Sequence, residues 1–110
     1  MVTQDGDIYL VKFHPSIGAG IKKYRPAVIV TSTVTRLNPR FVLIALLTTQ
    51  MEKANRFELK LKTNPALAKD SVLLCWYLYI IDSRRLIRKL GTISPKEIVA
   101  MHQILSKLLT

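Results

Sequence analysis

The sequence predicts a mainly β protein: a compact antiparallel barrel with a short helix and a C-terminal helix that closes its open side. Three observations carry that expectation. Arg56 to Lys62 alternates cleanly, with Phe57, Leu59 and Leu61 facing one way and Arg56, Glu58, Lys60 and Lys62 the other, as in a strand with one wet face. Three further runs, Ala27 to Ser32, Phe41 to Thr49 and Ser71 to Ile81, are apolar and rich in strand-forming residues, with turns rather than helices between them. Ser94-Pro95-Lys96-Glu97 is a strong helix start, with a serine cap, proline at the first position and a glutamate to complete a capping box.

In chain order, Asp7 to Phe13 alternates loosely and forms the first strand, with Ile8, Leu10 and Phe13 as its candidates for the inward side. His14-Pro15-Ser16-Ile17-Gly18-Ala19-Gly20 is a turn-rich loop that continues through Lys22-Lys23-Tyr24-Arg25-Pro26 into the second strand at Ala27. Thr33 to Arg40 is a polar connection, and Phe41 to Thr49 is the third strand, ending in Thr48-Thr49-Gln50. After a loop over Met51 to Asn55 come the alternating strand, a turn at Asn64-Pro65 and the long strand Ser71 to Ile81. Asp82 is placed to cap a short helix over Ser83 to Leu90, stopped by Gly91. In the last helix Ile98, Met101, Leu105 and Leu108 share one face, and His102 beside them reads as structural.

At 110 residues the chain fits a single domain over 1–110, and a hydrophobic fraction of 49% excludes a disordered chain. The longest apolar run, Val72 to Ile81, is far short of the ~20 residues that span a bilayer. The polar, acidic Met1 to Asp5 does not resemble a signal peptide. One cysteine, Cys75, cannot form an internal disulfide, which fits a cytoplasmic location. Seventeen Lys and Arg against seven Asp and Glu give a net charge of +10, and a small domain so unbalanced ordinarily meets a polyanion or an acidic protein. A membrane surface would call for a basic amphipathic helix, and the polar side of the last helix is too weakly basic for that.

Lys22, Lys23 and Arg25 lie within four residues, and Pro26 forces the arginine into extended backbone at the mouth of an apolar strand. Fixed positive charge there suits a phosphate, although a basic turn entering a strand would look the same.

Gly6-Asp7-Ile8-Tyr9-Leu10, Pro15 with Gly18, Arg25-Pro26-Ala27-Val28-Ile29-Val30, Ala45-Leu46-Leu47-Thr48, Lys69-Asp70-Ser71-Val72-Leu73-Leu74, Ile81-Asp82-Ser83-Arg84-Arg85-Leu86 and Gly91-Thr92-Ile93-Ser94-Pro95-Lys96-Glu97 fall in register with one family. In their order and spacing they resemble the MazF/PemK toxin endoribonucleases of type II toxin–antitoxin systems. The resemblance implies an SH3-like barrel of about five to seven strands, CcdB/PemK-like. It implies a homodimer, no membrane partner, no cofactor or metal, and cleavage of single-stranded RNA to 2′,3′-cyclic phosphate and 5′-hydroxyl ends. It also implies a cognate antitoxin with an acidic disordered tail.

By the same resemblance, Arg25 matches the family's arginine before proline and Thr48 its threonine at the end of the third strand, as the catalytic pair. Lys22, Lys23, His14, Thr49, Gln50, Tyr77 and Tyr79 are the RNA-binding candidates. The chain departs from the family in two places. Gly18-Ala19-Gly20 stands where the family usually reads Gly-Ser-Glu, and Trp76, Tyr77, Leu78 and Tyr79 replace a polar edge ending in Gln-x-Arg. Alternation puts Trp76 and Leu78 on one face and Tyr77 and Tyr79 on the other, where the tyrosines either stack unpaired bases or belong to a core or subunit interface. His14 is either a proton acceptor near Arg25 or a surface histidine, and mid-strand Cys75 reads as a core residue. Beside the nuclease stand two alternatives: a weakened member that binds RNA or antitoxin, and a gyrase-inhibiting toxin of the related fold.

Overall fold

Why the strands read as nearly continuous apolar runs becomes clear once they are paired. The computed structural model describes residues 2–13, 24–49, 54–62 and 64–110. Its strands are β1 (Asp7–Lys12), β2 (Tyr24–Thr31), β3 (Phe41–Thr48), β4 (Glu58–Leu61), β5 (Ser71–Asp82) and β6 (Leu86–Thr92). Its helices are α1 (Thr33–Leu37) and α2 (Pro95–Leu108). All pairings are antiparallel, in the order β4-β5-β3-β2-β1-β6.

Both faces of this sheet are covered, so the central strands must be apolar on both sides. Val28, Val30, Ala45, Leu47, Leu73 and Cys75 form one cluster with Met101 of α2. Ala27, Ile29, Val42, Ile44 and Leu46 form a second cluster with Tyr9, Val11, Phe13 and Leu86. α2 lies across β4 and β5, and its capping box is formed: Ser94 Oγ accepts from the Glu97 amide at 3.2 Å and Glu97 Oε1 from the Ser94 amide at 2.9 Å. Gly6 has φ +87°, and a Cβ there would sit 2.6 Å from Ile98 Cγ1 of α2, so both conformation and space demand glycine. At the sheet's two edges, a Cβ on Gly91 of β6 would lie 2.6 Å from the Ala66 Cβ, in the turn after β4. Asn64 Nδ2 donates to the Thr92 carbonyl at 3.1 Å beside it, so the edges are drawn together.

Four elements differ from the sequence expectation. The helix expected over Ser83 to Leu90 is a 3₁₀ turn, Ser83–Arg85, followed by β6. Asp82 does cap that turn, accepting from the Arg84 amide at 2.9 Å, but pairing with β1 then overrides the local helical signal. The four-residue spacing of Leu86 and Leu90 mimics a helix. In the structure the β1–β6 register skips Ile87, with Leu86 opposite Val11 and Arg88 opposite Leu10, so Leu86 joins the second cluster while Leu90 packs on the first. The short helix falls instead at Thr33–Leu37, inside the expected polar connection, where five residues without a buried side chain offer no periodicity to read. β2 starts at Tyr24 rather than Ala27. Its ladder to β3 begins only at Ala27, which leaves Pro26 at the strand margin, where a missing N–H is tolerated. β4 is shorter than Arg56 to Lys62, and Phe57 lines a cavity of about 410 Å³ against Ala100, Gln103, Ile104 and Lys107 of α2.

Candidate functional site

Arg25 and Thr48 come from neighbouring strands and reach the same place. In β2, Arg25 is two residues from Ala27 and four from Ile29, both in the second cluster, so alternation sets Arg25 on that face. In β3, Thr48 continues the row of Ile44 and Leu46 on the same face. The ladder pairs Ala27 with Leu46, so Arg25 and Thr48 are each the next residue beyond that pair on the shared face. The Arg25 guanidinium donates through Nη2 to the carbonyl of Leu47, the residue before Thr48. Arg25 is half-buried, pairs across β1 with Val11, and among the described residues makes no ion pair with a carboxylate. A guanidinium held to a carbonyl keeps its charge uncompensated, which an anion can use. Thr49 follows, exposed. His14, Lys22, Lys23 and Gln50 lie outside the described residues.

Tyr77 and Tyr79 lie on this face as well, packed against the second cluster, and Tyr79 pairs with Ile44 of β3. Tyr79 donates its hydroxyl to the Tyr77 oxygen at 3.3 Å, and their ring centroids are 5.4 Å apart. That hydrogen bond, then burial and the charge on Tyr77, push the Tyr79 phenol above its ordinary value, so it stays protonated at neutral pH. The alternation expected through Trp76 fails here. Ala45 pairs with Leu78 but Leu46 with Leu74, so the β3 ladder skips Cys75, Trp76 and Tyr77. An odd number of skipped residues exchanges the faces of β5: Leu73 and Cys75 point into the first cluster before it, and Tyr77 and Tyr79 into the second after it. Trp76 therefore stacks on Tyr77, at 5.1 Å and 13°, instead of opposing it.

Other reactive groups are occupied elsewhere. Cys75 is fully buried, and burial first, then the Glu58 charge, pushes its thiol up to about 11, so it is no nucleophile at neutral pH. His102 Nε2 lies 2.9 Å from Asp5 Oδ2 and 3.1 Å from the Val30 carbonyl, a tie between α2, the N-terminal segment and β2. Asp82 is clamped by Arg84 at 2.9 Å and by Arg40 at 3.5 Å. The side-chain hydrogen bond from Arg84 foremost holds its carboxyl well below the usual range. Among the described residues no group of three or more His, Cys, Asp or Glu is gathered as a metal site would need.

Sequence reasoning missed Glu58, whose Oε2 accepts from the Trp76 indole at 2.7 Å, and Phe13, whose ring meets Tyr79 edge-on at 6.0 Å. The density of aromatics after Cys75 was the available signal. The register slip that aligns them was not readable.

Residues 4–109 match the sequence pattern of the PemK-like, MazF-like toxins of type II toxin–antitoxin systems. This chain belongs to that family. The resemblance read from its motifs is thereby shown. No curated protein matches the toxin by sequence. Solved structures match its fold closely at low identity. MazF from Deinococcus radiodurans superposes with a TM-score of 0.78 at 19% identity, over 99% of this chain and 97% of that one. A mycobacterial endoribonuclease in complex with its cognate antitoxin gives 0.76 at 16% identity, over 97% and 94%. The Mycobacterium tuberculosis toxin MazF-mt6 gives 0.74 at 21% identity, over 94% and 95%. The expected barrel class is therefore shown, with six antiparallel strands and two helices among the described residues. No helix among those residues is long and apolar enough to cross a membrane.

Proposed function

We propose that this toxin is an endoribonuclease that cuts single-stranded RNA without a metal ion, using Arg25 and Thr48. The observation that carries the reading is their convergence at one end and on one face of adjacent strands, with the Arg25 guanidinium anchored on the carbonyl next to Thr48. In the reaction the 2′-oxygen attacks the adjacent phosphorus and the bond from phosphorus to the 5′-oxygen breaks. The 2′-proton leaves to a base, and the departing 5′-oxygen takes up a proton. The products are a 2′,3′-cyclic phosphate and a 5′-hydroxyl. Arg25 supplies fixed charge to the crowded pentavalent phosphorane, and the Thr48 hydroxyl bonds the same phosphate. His14, which follows β1 in sequence, is the chain's candidate for the 2′-proton. Thr49 follows Thr48 at this margin, Lys22, Lys23 and Gln50 are RNA-binding candidates from the sequence alone, and Tyr77 and Tyr79 stack the unpaired bases of the RNA.

The toxin acts as a homodimer and is neutralised by a cognate antitoxin whose acidic disordered tail covers this face. The net charge of +10 supports both an RNA and an acidic-tail partner. Incubation of the purified toxin with single-stranded RNA in the presence of EDTA tests the proposal. Fragments ending in 2′,3′-cyclic phosphate are expected, and are expected to disappear with Arg25→Ala. The aromatic residues in place of the family's Gln-x-Arg edge favour a second reading, a member that binds RNA or antitoxin but cleaves weakly. Salt-sensitive RNA binding without fragments would establish it.

A further inference from the structure

The aromatic line on the site's face does not stop at the two tyrosines. Phe13, Tyr79, Tyr77 and Trp76 follow one another with ring centroids 6.0, 5.4 and 5.1 Å apart, from the end of β1 to the middle of β5. Phe13 is buried at one end, whereas Trp76 at the other is 46% exposed. Two contacts hold the indole in that position. One face lies nearly parallel on Tyr77, and Nε1 donates to Glu58 Oε2 at 2.7 Å. A ring fixed by one face and one edge presents its remaining face without further ordering cost when a flat ligand arrives.

We propose that Trp76 is a base-stacking position for single-stranded RNA, at the exposed end of the aromatic line on the face that carries Arg25, with Glu58 as its positioning residue. The proposal rests on the RNA-cleaving reading of this face. A flat, exposed π surface suits a nucleobase, which offers a face of the same kind whatever its sequence. The surrounding charge suits a polyanion: Lys60 lies two residues beyond Glu58 along β4 and is exposed, and the chain carries +10 overall. The slip in the β3–β5 register gives the placement its origin. It turns Trp76 and Tyr77, neighbours in sequence, to the same face, where regular pairing would separate them.

Trp76 is the only tryptophan in the chain, so intrinsic emission reports this position alone. The full chain is titrated with random-sequence 2′-O-methyl RNA, which lacks the attacking hydroxyl and is not cut, and in parallel with inorganic polyphosphate, which has the charge without the bases. RNA is expected to quench the emission and polyphosphate to leave it unchanged. Trp76→Ala is expected to weaken RNA binding roughly tenfold or more, with the salt dependence unaltered, and Trp76→Phe to recover most of the loss. Glu58→Ala is expected to lower the anisotropy of the tryptophan emission in the free protein, and Glu58→Gln, which keeps an acceptor oxygen, to restore it. RNA that binds with unchanged emission and with equal affinity for Trp76→Ala overturns the inference. So does quenching by polyphosphate, or quenching by an acidic antitoxin segment but not by RNA. Cleavage of unmodified RNA is scored separately: fragments formed while Trp76 stays silent overturn the inference alone, whereas absence of both binding and cleavage removes the RNA reading beneath it.

Discussion

The two faces of the sheet begin alike and end differently. On the first, Val28, Val30, Ala45, Leu47, Leu73 and Cys75 meet Met101, and the helix seals the row so tightly that Gly6 has no room for a side chain. On the second, Ala27, Ile29, Ile44 and Leu46 form an equally apolar row, which runs out into Arg25 and Thr48 at one end and into stacked aromatic rings at its flank. The interior of each row holds the fold together, and in the proposed reaction the residues that follow the second row carry the chemistry. One strand thus serves both ends: its odd-numbered residues leave the packed centre at Ala27 and reach the charged margin at Arg25 only two residues away.

That contrast can be broken experimentally. Arg25→Ala should reduce RNA cleavage by roughly 10²–10³-fold or more while the midpoint of thermal unfolding stays nearly unchanged, and Thr48→Val should cause a smaller loss in the same assay. Arg25→Ala molecules that unfold would show the margin to be structural after all. Met101→Ala, on the sealed face, should cost about 2–5 kcal/mol in denaturant unfolding and leave RNA affinity per folded molecule as it was. A shift in affinity would mean that the two faces are not independent.

The titrating groups give finer tests. The Cys75 thiol is raised from 9.0 to about 11 in the folded chain, so burial favours its neutral form. The contribution of that thiol to stability is complete below 9.0 and is lost as pH climbs through about 11. Unfolding curves across that interval should show Cys75→Ala with a flatter alkaline decline than the unmodified chain. Asp82 is the opposite case, with its folded value held below the ordinary 3.8 by Arg84 and Arg40. Its contribution is present above 3.8 and disappears as pH falls through the folded value. Asp82→Asn should flatten the acid limb slightly, the smallest effect of the set because the clamp is solvent-exposed.

What could be read from residues alone was whatever local chemistry decides. The capping box at Ser94 and Glu97 formed as its spacing demands, because a cap is settled within one turn of helix. The apolar runs of β2, β3 and β5 announced strands because burial on both faces keeps most of their central positions apolar. The family was legible in the order of short motifs, each weak alone. Local chemistry failed where a distant strand decides. Leu86 to Leu90 carries a helical spacing, and only the unpaired edge of β1, brought alongside, turns it into β6. Trp76 and Tyr77 are adjacent residues that alternation must separate, and only the slipped register between β3 and β5 sets them on one face. Composition and motif spacing determined a basic barrel with a toxin's motif order, because those depend on each residue and its near neighbours. Tertiary pairing alone decided which side chains share a surface, because in a sheet a shift of one residue in register reverses every face beyond it.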